Sequence, residues 1–333
     1  MEHRRVGLER KRGKRFDLFL RFRIVIRDRA RLYLLSMNRS HFIAQAGLTA
    51  IGARLAAAQS TKFGSWPIVV FEKPIQTLDY DRMGEELAKM GVQGIEATIR
   101  RGGHIEPKNA EVEVPKMVKS LEKNGQKALI ATCNVDSASA KNANFLRILK
   151  ANGIIRYRMD YFRYDLTKDL LTQVAENTTK LKEIEAMNRE IGVQALYQIH
   201  AGPKYAGSLA WDAAMMFKNI DPAHAAIAFD LRHVKTGSGL SFPTALAAMG
   251  KHVRSIFVKD ASWSGKRTAS LRNVPLDTGI VNKKTFDDVS NGHSSMPLSL
   301  HMEWGEAPIY PKKIVMKAVA NITRDVKVLK SWL

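Results

Sequence analysis

Eight short apolar runs separated by helix-like stretches restrict this chain more than any other feature of its sequence. The runs cover 68–75, 94–100, 127–133, 154–160, 194–199, 225–230, 254–259 and 297–302. Apolar runs of this length suit strands buried on both faces, as in a parallel sheet. Helical periodicity fills 78–90, 113–124, 141–152, 168–191, 205–218, 242–250, 283–290 and 311–331. The fourth of these is clearest: Leu170, Leu171, Val174, Leu181, Ile184 and Ile191 fall on one stripe. Gly91, Gly125, Gly153 and Gly192 each follow a helical pattern, where a C-terminal cap belongs. Eight strand–helix pairs in roughly 265 residues match the order and length of a single (β/α)8 TIM barrel. A doubly wound open sheet is the alternative, and it lacks a G-x-G-x-x-G after the first strand.

Composition matters mainly at the N-terminus. The formal charge is +21, and residues 1–36 hold 12 Lys/Arg against 4 Asp/Glu. Apolar residues there are broken by charge every two or three positions and form no convincing core element. Residues 37–58 then run from Asn38-Arg39-Ser40-His41-Phe42-Ile43 through an Ala/Gly/Leu segment to Ala56-Ala57-Ala58. That order resembles an export signal of the twin-arginine type with one arginine missing and Arg54 inside its apolar part. The expectation is translation from Met37, a mature chain from about Gln59 and a periplasmic location; a cytoplasmic protein with an amphipathic N-terminal helix is the alternative. Residues 1–58 are thus read as a basic leader and export-signal-like segment outside the core, and 59–333 as the barrel. No stretch approaches the roughly 18 uncharged apolar residues of a membrane span. The positive charge carries no recognised nucleic-acid motif, so no nucleic-acid partner is expected. Cys133 is the sole cysteine, which excludes an internal disulfide and a cysteine-based zinc cluster.

Four of the runs end on charged or hydrogen-bonding residues, and parallel α/β folds gather their sites at such strand ends. Gln198, His200, Asp230, His233, Lys259, Asp260, His301 and Glu303 are read as one site. Residues two apart on a strand share a face, so Gln198 with His200, and His301 with Glu303, can face the barrel mouth together. After the second run, Arg100-Arg101-Gly102-Gly103-His104-Ile105-Glu106-Pro107 joins backbone freedom to charge and proton-transfer capacity. Lys235–Gly239 is read as a loop, and it lacks the frame of a phosphate cradle. No Ser or Cys stands in a nucleophile-elbow context, which argues against acyl-enzyme chemistry.

From about residue 68 to 305 the chain resembles the xylose isomerase-like TIM barrels, the sugar phosphate isomerase/epimerase superfamily. The resemblance rests on G-I-E-A-T-I-R-R-G-G-H-I-E-P, Y-Q-I-H-A-G, F-D-L-R-H, F-V-K-D-A-S-W, V-P-L-D-T-G and L-S-L-H-M-E-W. It implies one divalent metal held by a Glu, an Asp, a His and a Glu after strands five to eight. Asp230 matches the second ligand, and His233 the substrate-contacting His of the D-x-x-H motif. Gln198 stands where the first Glu belongs, Phe257 where the strand-seven His belongs, and His301 where the last Glu belongs, with Glu303 two residues on.

The resulting expectation is a sugar or sugar phosphate isomerase or epimerase that removes a proton next to a carbonyl. Gln198, Asp230, His301 and Glu303 would hold Mn²⁺, Mg²⁺ or Zn²⁺, more weakly than a set with two further anionic ligands. Glu303, His200 and His301 would carry the acid–base chemistry. Gln198 could not, because an amide takes no proton. Arg100, His104, Glu106, Gln198, His233 and Lys259 would bind substrate. An exported carbohydrate-binding barrel without turnover is the second reading, and a nuclease of the endonuclease IV type, which needs a trinuclear zinc site, is the third. The sequence leaves the oligomeric state open, a homodimer included.

Overall fold

A computed structural model describes residues 66–265, 269–293 and 295–333; the leader and signal-like segment, 1–58, lie outside them. The strands are β1 (Ile68–Phe71), β2 (Gly94–Thr98), β3 (Lys127–Thr132), β4 (Arg156–Arg158), β5 (Gln194–Gln198), β6 (Ala225–Asp230), β7 (Val253–Val258), β8 (Asp260–Ser264), β9 (Ser270–Val274) and β10 (Leu298–Leu300). The helices are α1 (Tyr80–Met90), α2 (Ala110–Glu122), α3 (Ala140–Ala151), α4 (Leu170–Ile191), α5 (Trp211–Phe217), α6 (Leu231–Ser238), α7 (Phe242–Met249), α8 (Lys283–Ser290) and α9 (Val315–Trp332). Eight strands close a barrel in the order β1-β10-β7-β6-β5-β4-β3-β2, and every neighbouring pair is parallel. The antiparallel hairpin β8–β9 lies outside that ring. No described helix is long and apolar enough to cross a membrane.

The alternation of side chains along each strand sets what the barrel holds. Val69, Ile130, Leu196, Ala226, Ala228 and Phe257 form an inner cluster of their own. Their neighbours Val70, Ala195, Tyr197, Ile227, Phe229, Ile256 and Val258 belong to the larger core shared with the helices. Following the inward parity towards the carboxyl ends leads from the apolar plug to Phe71, Glu96, Arg158, Gln198, Asp230, Lys259, His301 and Glu303. The barrel floor is greasy and its rim is charged.

Local differences from the sequence reading have physical causes. The first strand stops at Phe71 because Pro74 offers no N–H to the ladder, and Lys73–Ile75 turns into a 3₁₀ helix. Lys235-Thr236-Gly237-Ser238 is not a loop but the end of α6. That helix starts because the Asp230 carboxylate accepts from the His233 N–H at 3.0 Å, so one residue both ends a barrel strand and caps the following helix. Two of the four glycine caps stand as read, Gly91 and Gly192, which end α1 and α4 with φ of 64° and 77°; α2 and α3 end on Lys123 and Asn152, with Gly125 and Gly153 just beyond.

Gly94 opens β2 opposite Lys127 with φ of 154°. A Cβ there would lie 1.7 Å from the Lys127 carbonyl oxygen. Gly94→Ala therefore has to part β2 from β3, and we expect a loss of more than about 3 kcal/mol in urea denaturation, or no folded protein. A variant within about 0.5 kcal/mol of the parent would refute this account of the β2–β3 seam.

Candidate active site

Seven side chains from six barrel strands and their carboxyl ends link into a ring across the mouth. Glu96 Oε1 accepts from Arg158 Nε at 2.6 Å, and Arg158 Nη1 donates to Gln198 Oε1 at 2.6 Å. Gln198 Nε2 donates to Asp230 Oδ2 at 2.7 Å, which lies 3.3 Å from the Lys259 ammonium. Lys259 Nζ reaches Glu303 Oε2 at 3.2 Å, and the other Glu303 oxygen lies 3.9 Å from His301 Nδ1. His301 Nε2 closes the ring on Glu96 Oε2 at 2.8 Å. Three carboxylates face two permanent cations. Phe71 stacks on His301 at 4.5 Å and carries the guanidinium carbons of Arg158 and Arg100 at 4.8 and 5.8 Å from its ring centroid.

The members of the ring are not equivalent. Glu96 is fully buried and all its lone pairs are in use, with Thr132 and Ser299 also donating to it. Burial would raise its carboxyl, but Arg158 and His301 outweigh burial and hold it far below the ordinary range. Glu303 has the opposite setting: its side chain is 30% exposed to the mouth. There too burial opposes the charge, and Lys259 followed by His301 wins, bringing the carboxyl down to about 2. Burial works against the Lys259 ammonium, yet Asp230 and Glu303 carry its pKa above the ordinary lysine value. Lys259 is therefore a firm cation and a poor nucleophile.

Beside the ring lies an aromatic shelf. The His200 ring packs 3.8 Å from His233, 4.2 Å from Tyr205 and 5.2 Å from Tyr161. Tyr161 OH donates to Gln198 Oε1 at 2.5 Å. His200 Nδ1 meets the Ala201 carbonyl at 2.8 Å, which fixes the proton there and leaves Nε2 as a lone pair. Burial, reinforced by Lys259, lowers the His200 pKa to about 4, so the ring is neutral in neutral solution. Burial and the same ammonium push His233 much further down. Arg232 donates to His233 Nδ1 at 2.8 Å, so the His233 proton sits on Nε2. That Nε2 and His301 Nδ1 are buried without a hydrogen-bond partner. Two orphaned nitrogens beside an open mouth are places a ligand hydroxyl would satisfy.

The fold brings Gln198, His200, Asp230, His233, Lys259, His301 and Glu303 together, with Arg100 reaching the same Phe71. Three residues singled out in the sequence go elsewhere. His104 Nδ1 lies 2.5 Å from Glu72, and its ring 4.7 Å from Tyr80, in a separate cluster with Thr98. Glu106 takes the Gly102 N–H at 2.8 Å and shapes its own loop. Asp260 accepts from the N–H groups of Ala261, Thr278, Gly279 and Val281, which anchors the hairpin and the segment after it. Sequence reading missed Glu96, Arg158 and Tyr161. Glu96 sits inside β2 and Arg158 in a strand of only three residues, so neither carries the strand-end signal that marks the others.

The implied metal does not fit this donor set. Gln198 turns its amide nitrogen, not its oxygen, towards Asp230, and the oxygen is held by Arg158 and Tyr161. His301 spends Nε2 on Glu96, and an ammonium already lies between Asp230 and Glu303. Among the described residues no group of three or more His, Cys, Asp or Glu side chains is placed to hold a metal ion.

A closed parallel barrel with a charged rim is the class that fold and site define. No family model and no curated protein sequence matches the chain. Solved structures do, among them xylose isomerase-like TIM barrels, sugar epimerases and a probable 3-DHS dehydratase. A xylose isomerase domain protein from Planctomyces limnophilus aligns with a TM-score of 0.58 at 13% identity, over 81% of this chain and 98% of that one. A xylose isomerase-like TIM barrel protein from Mycobacterium smegmatis, solved in complex with magnesium, gives 0.58 at 13%, over 81% and 98%. A D-psicose 3-epimerase solved in the presence of D-fructose gives 0.57 at 12%, over 80% and 97%. At such identity these likenesses establish the (β/α)8 barrel fold alone.

Proposed function

We propose that the mouth binds a sugar or a closely related polyhydroxy carbonyl compound and moves a proton at the carbon next to its carbonyl, as an isomerase or epimerase does. One observation carries this reading: the partly exposed Glu303 carboxylate and the Lys259 ammonium stand side by side, 3.2 Å apart. An ammonium has three donors, and the two carboxylates take at most two. The third is free for a carbonyl oxygen. Glu303 would take the proton from carbon, the C–H pair would become the C=C of an enediolate, and the carbonyl π pair would move onto the oxygen facing Lys259. A Lys259 N–H turned towards that oxygen is withdrawn from Glu303, whose basicity rises at the moment it is needed. Return of the proton to the neighbouring carbon, with the hydroxyl proton of the first carbon passing to the former carbonyl oxygen, isomerises; protonation of the first carbon by water on the opposite face, with Glu303 releasing its own proton to solvent, epimerises. His200 Nε2 is a neutral acceptor for a substrate hydroxyl, His233 Nε2 a donor to one, and Arg100 a further donor. The sugar epimerases among the structural neighbours support the same substrate class.

The second reading, a sugar-binding barrel without turnover, draws on Gln198, which cannot supply a second acid–base group. Incubating the protein with ketoses and aldoses in deuterium oxide separates the two. The expected result is deuterium at the carbon adjacent to the carbonyl of one of them. Saturable binding without any exchange favours the second reading, and neither binding nor exchange sinks both.

A further inference from the structure

We propose that the Lys259 ammonium is the resident cation of this barrel, occupying the position between Asp230 and Glu303 that a divalent ion would need, so that the mouth works without a bound metal. The inference deepens the proton-transfer reading, on which its catalytic part rests, and it stands on four geometric facts. Lys259 Nζ lies 3.3 Å from Asp230 Oδ2 and 3.2 Å from Glu303 Oε2, and its side chain is 3% exposed. A divalent ion bridging the same two carboxylates would have to meet a fixed positive charge at contact distance. Gln198 presents an N–H to Asp230, a donor where a metal needs a lone pair, and Arg158 and Tyr161 lock that orientation from behind. At the inward position of β7 preceding Lys259 stands Phe257, whose ring lies 4.7 Å from that of His301 and contributes no donor atom.

The four facts reinforce one another. Each replaces a ligand by a group that serves an ammonium instead: two carboxylates left as counter-ions, one amide turned to donate, one aromatic wall. A lysine so held supplies directional N–H donors to a developing oxyanion, and it stays in place at any concentration of free metal. Its reach is shorter than a metal's, since it cannot bind two substrate oxygens at once through lone-pair coordination. The substrate hydroxyls must then be held by the histidine shelf.

The test needs no substrate, so its failure can be told apart from failure of the sugar-isomerase reading. Full-length protein is titrated with Mn²⁺, monitored by the electron paramagnetic resonance signal of the free ion, alongside Lys259→Met and Lys259→Met/Asp230→Asn. Wild-type protein is expected to bind no stoichiometric Mn²⁺ below about 1 mM. Lys259→Met, which leaves the two carboxylates without their cation, is expected to bind at least about tenfold more tightly than wild type, and the double variant to lose that gain. Stoichiometric Mn²⁺ on the wild type that Asp230→Asn releases overturns the proposal. So does a folded Lys259→Met that binds no better than wild type, because the carboxylate pair would then be no cation seat. Should Lys259→Met fail to fold, Lys259→Gln keeps the polar contact, and the same two outcomes decide.

Discussion

Arg158→Met should cost the barrel about 3–5 kcal/mol in urea denaturation, the range for breaking a buried ion pair from one side, and adding Glu96→Gln should return most of it. Arg158 is 5% exposed and donates to Glu96, Gln198, Thr132 and Tyr161, with its guanidinium over Phe71 and Phe257. Methionine fills much of the same volume and keeps the ring contacts, so packing alone cannot account for a large loss. What the single variant leaves behind is a carboxylate that is fully buried and has lost its first counter-charge. Burial then dominates, and the Glu96 carboxyl moves upward. Above its unfolded-state value, a raised carboxyl binds protons more tightly in the folded state, so stability falls as pH rises. The gap between wild type and Arg158→Met should therefore narrow as pH drops from 7 towards 5. With Glu96→Gln the uncompensated charge is gone, and the gap should no longer depend on pH in that window. A single variant as stable as the double would mean that the Glu96–Arg158 pair contributes specificity of the mouth and nothing to its stability.

Particular residues show why the fold was legible in the sequence and the site only partly so. The strands were visible because parallel barrel strands are buried on both faces and read as unbroken apolar runs. Ala225–Asp230 and Val253–Val258 were each located to within a residue. The strand-end residues followed from the same rule, since Gln198, Asp230, Lys259 and His301 all stand on the inward parity of their strands. Glu96 escaped notice because it sits within β2 rather than at its end, and nothing local distinguishes an inward glutamate from an edge charge. Arg158 sits in a strand of three residues, Arg156–Arg158, whose apolar content is one tyrosine. The sequence allows Lys259 or Arg232 to neutralise Asp230 in place of a metal, but it does not choose between ion pair and metal. The role of Lys259 comes from the distances to Asp230 and Glu303, residues 29 and 44 positions away along the chain, and from the rotamer of Gln198. Family resemblance pointed to a metal; the amide orientation, which no sequence encodes locally, points away from it.

Glu303→Gln should remove about 10²–10⁴-fold of the exchange or turnover rate on whichever sugar the deuterium screen identifies, the usual range for a lost general base. The same substitution should cost less stability at pH 7 than Arg158→Met does: a carboxyl lowered from 4.5 to about 2 sets an upper bound of roughly 3 kcal/mol, and the partial exposure of the pair reduces it. The contrast with Arg158→Met is the point: one ring residue is held for structure, the other is left open to the mouth. Acid titration supplies a second reading of the same group. The Glu303 carboxyl lies at about 2 in the folded protein against 4.5 for the ordinary group. A carboxyl lowered on folding adds stability that is fully present above the unfolded value and is lost as pH falls through the folded one. Wild-type protein should thus lose stability between pH 4.5 and about 2 more steeply than Glu303→Gln does. The rate has its own acid limit, and Glu303 does not set it. His200, lowered to about 4, takes up a proton first and ceases to accept one from a substrate hydroxyl. The profile of kcat/KM should accordingly fall on the acid side near pH 4 and stay flat through neutrality. His200→Asn should displace that limb to lower pH while retaining Glu303-dependent exchange. A Glu303→Gln protein that still exchanges deuterium at the parental rate would transfer the base to another group of the mouth, and His200 would be the first to test.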